Sequence, residues 1–83
     1  MQTLTKEDLD INATANIKFA RAQLKLTQIK FAKALQANPK TIGAIEEGRT
    51  TPSPHLIYRL SLLIKVSLQT LYFTKLSDGN AKF

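Results

Sequence analysis

The chain has no cysteine and no tryptophan, and only one histidine, three glycines and three prolines among its 83 residues. Without cysteine there is no disulfide to staple a small chain and no thiolate to hold zinc, so packing alone must supply the stability. The absence also suits a reducing, cytoplasmic setting. His55 has no cysteine or second histidine to join it as a metal ligand, so a metal site is not expected and an exposed surface position is. The glycines are too scattered for a phosphate-cradling loop, and Glu46 and Glu47 are sequence neighbours facing different ways, not a working carboxylate pair. No nucleophile is matched with a base. These gaps argue against an enzyme and against a cofactor. Long apolar runs are missing too: the longest, residues 60–64, is interrupted by Ser61 and followed by Lys65. That is far short of the roughly 20 residues of a membrane-spanning helix. Residues 1–10 are polar and acidic, unlike a secretory signal.

What is present is an ordinary globular composition, 43% hydrophobic and 22% charged, in a length that holds one small domain. The net charge of +6 is unevenly placed. Residues 1–10 carry Lys6 against Glu7, Asp8 and Asp10, a net of −2. Residues 11–65 carry Lys18, Arg21, Lys25, Lys30, Lys33, Lys40, Arg49, Arg59 and Lys65 against Glu46 and Glu47, a net of +7. A cationic stretch of this kind in a small domain is the footprint of a polyanion binder, most often nucleic acid.

Apolar residues recur at three- and four-residue steps and nowhere in sustained alternation, so the fold is expected to be all-α. Asn12 is a candidate cap for a first helix over about residues 13–25, with Ile17, Ala20 and Leu24 inward. Thr27 is the expected cap of a short second helix to residue 35 that buries Phe31, Ala32 and Leu35. Asn38-Pro39 joins a capping side chain to a proline at the first helical position, where its missing N–H costs nothing. It should open a third helix that runs to about Glu47 and closes at Gly48. Ser53-Pro54 repeats the device for a fourth helix to about residue 65, turning Leu56, Leu60 and Leu63 or Ile64 inward, and Ser67 caps a fifth through Phe73. Residues 74–83, with the turn-forming Asp78-Gly79-Asn80, read as an irregular tail. The resulting division is an arm over residues 1–11, a helical domain over 12–73 and a tail over 74–83.

Helices two and three are separated so tightly that they must cross steeply, as in a helix-turn-helix, with the third presented outward. The ordered residues are Thr27-Gln28, Phe31-Ala32, Leu35, Asn38, Thr41-Ile42, Ile45-Glu46 and Gly48, followed by Pro52, a leucine-rich helix and Val66-Ser67-Leu68. With Arg21 in the first helix, this set resembles the Cro/phage-repressor-like (XRE-type) helix-turn-helix domain across residues 17–73.

The resemblance implies a compact five-helix, lambda-repressor-like fold that binds double-stranded DNA as a transcriptional regulator. A repressor acting as a homodimer on an inverted repeat is the form expected. The alternative is an antitoxin-type module of the same fold, bound to a protein partner. Asn38, Lys40, Thr41 and Ala44 fall on the outward face of the third helix and are the expected base contacts, with Lys40 foremost as a partner for guanine. Thr27, Gln28, Arg49, Thr50 and Thr51 are the expected phosphate contacts. The resemblance further implies a structural ion pair between Arg21 and Glu46. Leu71, Tyr72, Phe73 and Leu76, with Phe83, form a late apolar cluster expected at a dimer interface; Tyr58, Tyr72 and Phe73 are core or dimer contacts before they are a stacking platform for single strands. Two departures stand out. Gln36 occupies the turn position usually held by a small residue, and Gly43 and Ala44 leave the third helix sparse in long polar side chains, which shifts weight toward DNA shape.

Overall fold

A side-chain oxygen opens each helix. In the computed structural model, which describes residues 3–79, Thr5 caps α1 (Lys6–Leu24), Thr27 caps α2 (Gln28–Ala34), Asn38 caps α3 (Pro39–Glu46), Ser53 caps α4 (Pro54–Ile64) and Ser67 caps α5 (Leu68–Phe73). A single 3₁₀ turn, Leu76–Gly79, follows, and no strand occurs among the described residues. Four caps stand where the sequence predicts them. The first does not: α1 starts two turns before Asn12, because Thr5 and Asp8 close a reciprocal capping box. The Asp8 N–H donates to Thr5 Oγ1 at 3.1 Å and the Thr5 N–H to Asp8 Oδ2 at 2.9 Å. The second bond also holds the Asp8 carboxyl below its ordinary range. Asn12 instead sits within α1 and donates to the Tyr72 carbonyl at 2.9 Å.

The first four helix ends share one device. Lys25, Gln36, Gly48 and Lys65 all have positive φ, at 57°, 55°, 79° and 58°, and each is followed by an N–H that reaches back across the turn. Leu26 donates to the Arg21 carbonyl, Ala37 to Ala32, Arg49 to Ala44 and Val66 to Ser61, at 3.2, 2.8, 2.9 and 3.2 Å. These are Schellman closures, and only one of them uses glycine. A left-handed non-glycine residue costs about 1–2 kcal/mol. The apolar side chain after each of the three, Leu26, Ala37 and Val66, packs against the core and offsets that strain.

The core is built from Ala13, Ile17 and Ala20 of α1, Phe31, Ala32 and Leu35 at α2, Ile42 and Ile45 of α3, Leu56, Ile57, Leu60 and Ile64 of α4, and Leu71 and Leu76. Ile64, and not Leu63, is the inward residue late in α4. The burial of Leu71 and Leu76, 0% and 5% exposed, corrects the expectation of a dimer surface there. The 3₁₀ turn at Leu76–Gly79 likewise gives regular structure where an irregular tail was expected.

The cause is Asn16, fully buried on α1. Its Nδ2 donates to the Leu71 and Thr74 carbonyls at 2.8 and 2.7 Å, and its Oδ1 accepts from the Leu76 N–H at 2.8 Å. One amide thus binds both sides of the chain after α5 and seats Leu71 and Leu76 over the core. Tyr72 is half-buried against the same core, where burial first and the Asp10 charge second raise its pKa. Phe73 remains 52% exposed. Phe83 lies outside the described residues.

Candidate nucleic-acid interface

The link from α2 to α3 is Leu35, Gln36, Ala37 and the cap Asn38. Gln36 turns the chain through the left-handed conformation, and Ala37 tucks beneath to pack on the core. Arg59 of α4 reaches into this turn: its Nη1 donates to the Leu35 carbonyl at 3.2 Å and to the Gln36 carbonyl at 2.8 Å. Asn38 then opens α3, its Oδ1 accepting the Lys40 N–H at 2.9 Å, which leaves Nδ2 of this exposed amide outside the cap bond.

Ile42 and Ile45 are buried, so the helical period turns Lys40 and Thr41 outward, and both are exposed. Ala44 is half-buried, less open than expected of a base contact. The leading end of α3 stands as a ridge between two hollows. Gln28, Lys40, Gly43, Glu47 and Arg49 line the first with Pro39. Asn38, Thr41, Thr50 and Thr51 share the second with Gln36, Ser53, His55 and Arg59. The structure therefore gathers every expected base or phosphate contact except Thr27 and Ala44 around one helix end. Thr27 caps α2, its hydroxyl oxygen accepting the Lys30 N–H at 3.1 Å.

A network of side chains fixes α3 beneath that ridge. Arg21 of α1 donates from Nε to Glu46 Oε2 at 2.6 Å and from Nη2 to Glu46 Oε1 at 2.9 Å. Its Nη1 also holds the Leu26 carbonyl in the α1–α2 turn at 3.0 Å. Gln28 of α2 donates from Nε2 to Glu46 Oε1 at 2.9 Å. One carboxylate therefore joins three helices, and the Gln28 amide expected at a phosphate is engaged with Glu46 instead. Burial alone pushes the Glu46 carboxyl up, but the bonds from Arg21 and Gln28, with the charges of Arg21 and Lys18, more than offset it, leaving the group below its ordinary range. The bonds to Glu46 raise the Arg21 guanidinium.

Gly43 lies under the Gln28 amide: a Cβ there would meet Gln28 Oε1 at 3.5 Å, ordinary contact with the end of a flexible side chain. Gly43→Ala should therefore stabilise the fold by about 0.5–1 kcal/mol through helix propensity. The check is the urea midpoint, and a fall in that midpoint would show that the Gln28 amide has no room to yield.

Arg49 donates from Nε to Glu47 Oε2 at 2.7 Å, with both side chains more than 60% exposed. Such pairs contribute little. A phosphate can take over the guanidinium, although the Glu47 carboxylate weakens the local field.

Three residues near this face carry no recognisable sequence signal. Lys18 of α1 lines a third hollow with Gly48, Thr50 and Thr51. His55, exposed as expected, borders Thr41, and Arg59 holds the turn. Their neighbours come from distant parts of the chain, and for Arg59 the partners are backbone carbonyls, which have no residue identity to read. Among the described residues no group of three histidines and carboxylates is placed to hold a metal, and no helix is long and apolar enough to cross a membrane.

Residues 14–76 match a family model described as a helix-turn-helix domain, about three quarters of the chain. No curated protein and no solved structure matches the chain.

Proposed function

The chain belongs to the helix-turn-helix family, of the XRE/Cro-like type, and from that premise we propose that it is a transcriptional regulator that binds double-stranded DNA through the leading end of α3. One observation carries this: Asn38, Lys40 and Thr41 stand exposed at the start of a helix whose other face is locked into the core, with Gln28, Arg49, Thr50 and Thr51 at its flanks. A helix so placed enters a major groove nose first, where two or three side chains meet base edges while flanking donors hold phosphates. Lys40 is the base-reading cation, suited to guanine O6 and N7. Asn38 Nδ2 offers a donor beside it, and the Thr41 methyl an apolar contact for thymine. Arg49 and the Thr50 and Thr51 hydroxyls serve the backbone. By occupying its site the protein acts as a repressor.

The two roles separate experimentally. Lys40→Ala should weaken binding to a selected operator by about 1–3 kcal/mol and relax preference at one base pair. Arg49→Ala should weaken operator and random duplex alike and lower the salt dependence by about one ion. Titrations at several salt concentrations decide, and equal losses on both duplexes for Lys40→Ala would remove its assigned role.

Two copies on an inverted repeat would space their α3 helices by roughly 34 Å, one turn of DNA. Among the exposed apolar side chains, Phe73 and Leu68 on α5 and Tyr58, Leu62 and Leu63 on α4 are available for such a pairing. Sedimentation at micromolar concentration should show a dimer that Phe73→Asp or Leu62→Asp dissociates. A monomer throughout would refute the pairing.

A further inference from the structure

Arg59 is a cation close to the proposed DNA face, and a cation there would ordinarily be taken as a phosphate ligand. Its surroundings point elsewhere. Arg59 lies in the wall shared by the hollow beside Asn38 and Thr41 and the groove between α2 and α4, and the residue is half-buried. Its Nη1 is held at 3.2 and 2.8 Å by the Leu35 and Gln36 carbonyls. Carbonyls at the end of a helix lack partners within the helix and attract a cation through the helix dipole. The turn between α2 and α3 also needs a restraint, because Gln36 has no intrinsic preference for its φ of 55°. The preceding turn is held in the same way: Lys25 is left-handed, and Arg21 donates to the next carbonyl, that of Leu26. A guanidinium thus fastens the turn at each end of α2.

We propose that Arg59 is a positioning residue for DNA recognition: it sets the direction in which the chain leaves α2, and so the angle of α3, without touching DNA. Nη1 spends its two N–H groups on the two adjacent carbonyls in an orientation fixed by the planar guanidinium, which the ammonium of lysine on its flexible stem does not pre-organise. The effect on DNA rests on the function proposed above, whereas the clamp on the turn does not, and the experiment reads them separately.

In the full chain, Arg59→Lys and Arg59→Met are compared with the parent protein, first without DNA. Backbone carbon shifts and the HN–Hα coupling of Gln36 should lose part of their left-handed signature in both variants, while those of Lys65, a left-handed residue with a different partner set, stay fixed. An unchanged Gln36 overturns the clamp.

Binding is then measured on a selected operator and on random duplex. Arg59→Lys should lose on the order of tenfold on the operator, under twofold on random DNA, with the salt slope unchanged. A phosphate ligand behaves differently. Lysine would then preserve binding to both duplexes, and Arg59→Met would lose equally on both with a slope lower by about one. That outcome overturns the proposal. Should Arg59→Met not fold, Arg59→Lys alone separates the two roles. Should the parent protein fail to bind duplex DNA, the function proposed above fails while the Gln36 measurement still judges the clamp.

Discussion

Replacing Asn16 with alanine should destabilise the protein by about 3–5 kcal/mol, because two buried backbone groups and a third, partly buried one lose this partner together. The Leu71 and Thr74 carbonyls and the Leu76 N–H all bond to this one amide. Each buried polar group left unsatisfied costs about 1–3 kcal/mol, with the lower part of that range applying where water can follow the missing side chain. A small domain holds only about 5–15 kcal/mol in all, so much of the native population should be lost on mild warming. Asn16→Asp offers no rescue. A carboxylate still accepts from Leu76 but presents negative charge to two carbonyl oxygens from a fully buried position. Chemical denaturation followed by circular dichroism measures the loss, and a change below about 1 kcal/mol would mean that the amide does not make these bonds in solution.

The second large effect is at Glu46. Glu46→Ala should cost about 2–4 kcal/mol, somewhat less than for a fully buried pair, because the Arg21 side chain is 30% exposed and water can reach it, although Glu46 is only 10% exposed. The loss strands the guanidinium and the Gln28 amide together. Arg21→Met combined with Glu46→Leu should cost less than the two single changes added, since no uncompensated charge remains. The pair also sets a pH dependence. The carboxyl lies below its ordinary range in the folded protein, so its stabilising contribution is complete above that range. It is lost as pH falls through the range and below it. Glu46→Gln should therefore flatten the acid limb of the stability curve. An acid limb unchanged in that variant would place the controlling titration elsewhere.

Legibility in the sequence followed the range of the interaction that decides each feature. Thr27, Asn38, Ser53 and Ser67 were readable as caps because the outcome depends on one side-chain oxygen and the two or three residues after it. The start of α1 was not, because Thr5 and Asn12 compete as caps, and the loser is bound to a carbonyl sixty residues away. Lys25 and Lys65 as helix terminators were hidden for a related reason: without glycine, their left-handed turns are driven by the burial of Leu26 and Val66. Leu71 and Leu76 looked like surplus apolar surface because nothing in the local pattern reveals Asn16 gripping the chain around them. The proposed DNA face was the most legible part. Asn38, Lys40 and Thr41 are set outward by the same helical period that buries Ile42 and Ile45, so the sequence carries that geometry directly.

The most direct test of α3 as the DNA-reading element is a titration of the ¹⁵N-labelled protein with an operator duplex selected from a random library, followed by amide shifts. The largest changes are expected at Asn38, Lys40, Thr41 and the Arg49-Thr50-Thr51 segment, with α5 nearly still. Strong changes on α5 or the outer face of α4, with Asn38, Lys40 and Thr41 unmoved, would contradict it.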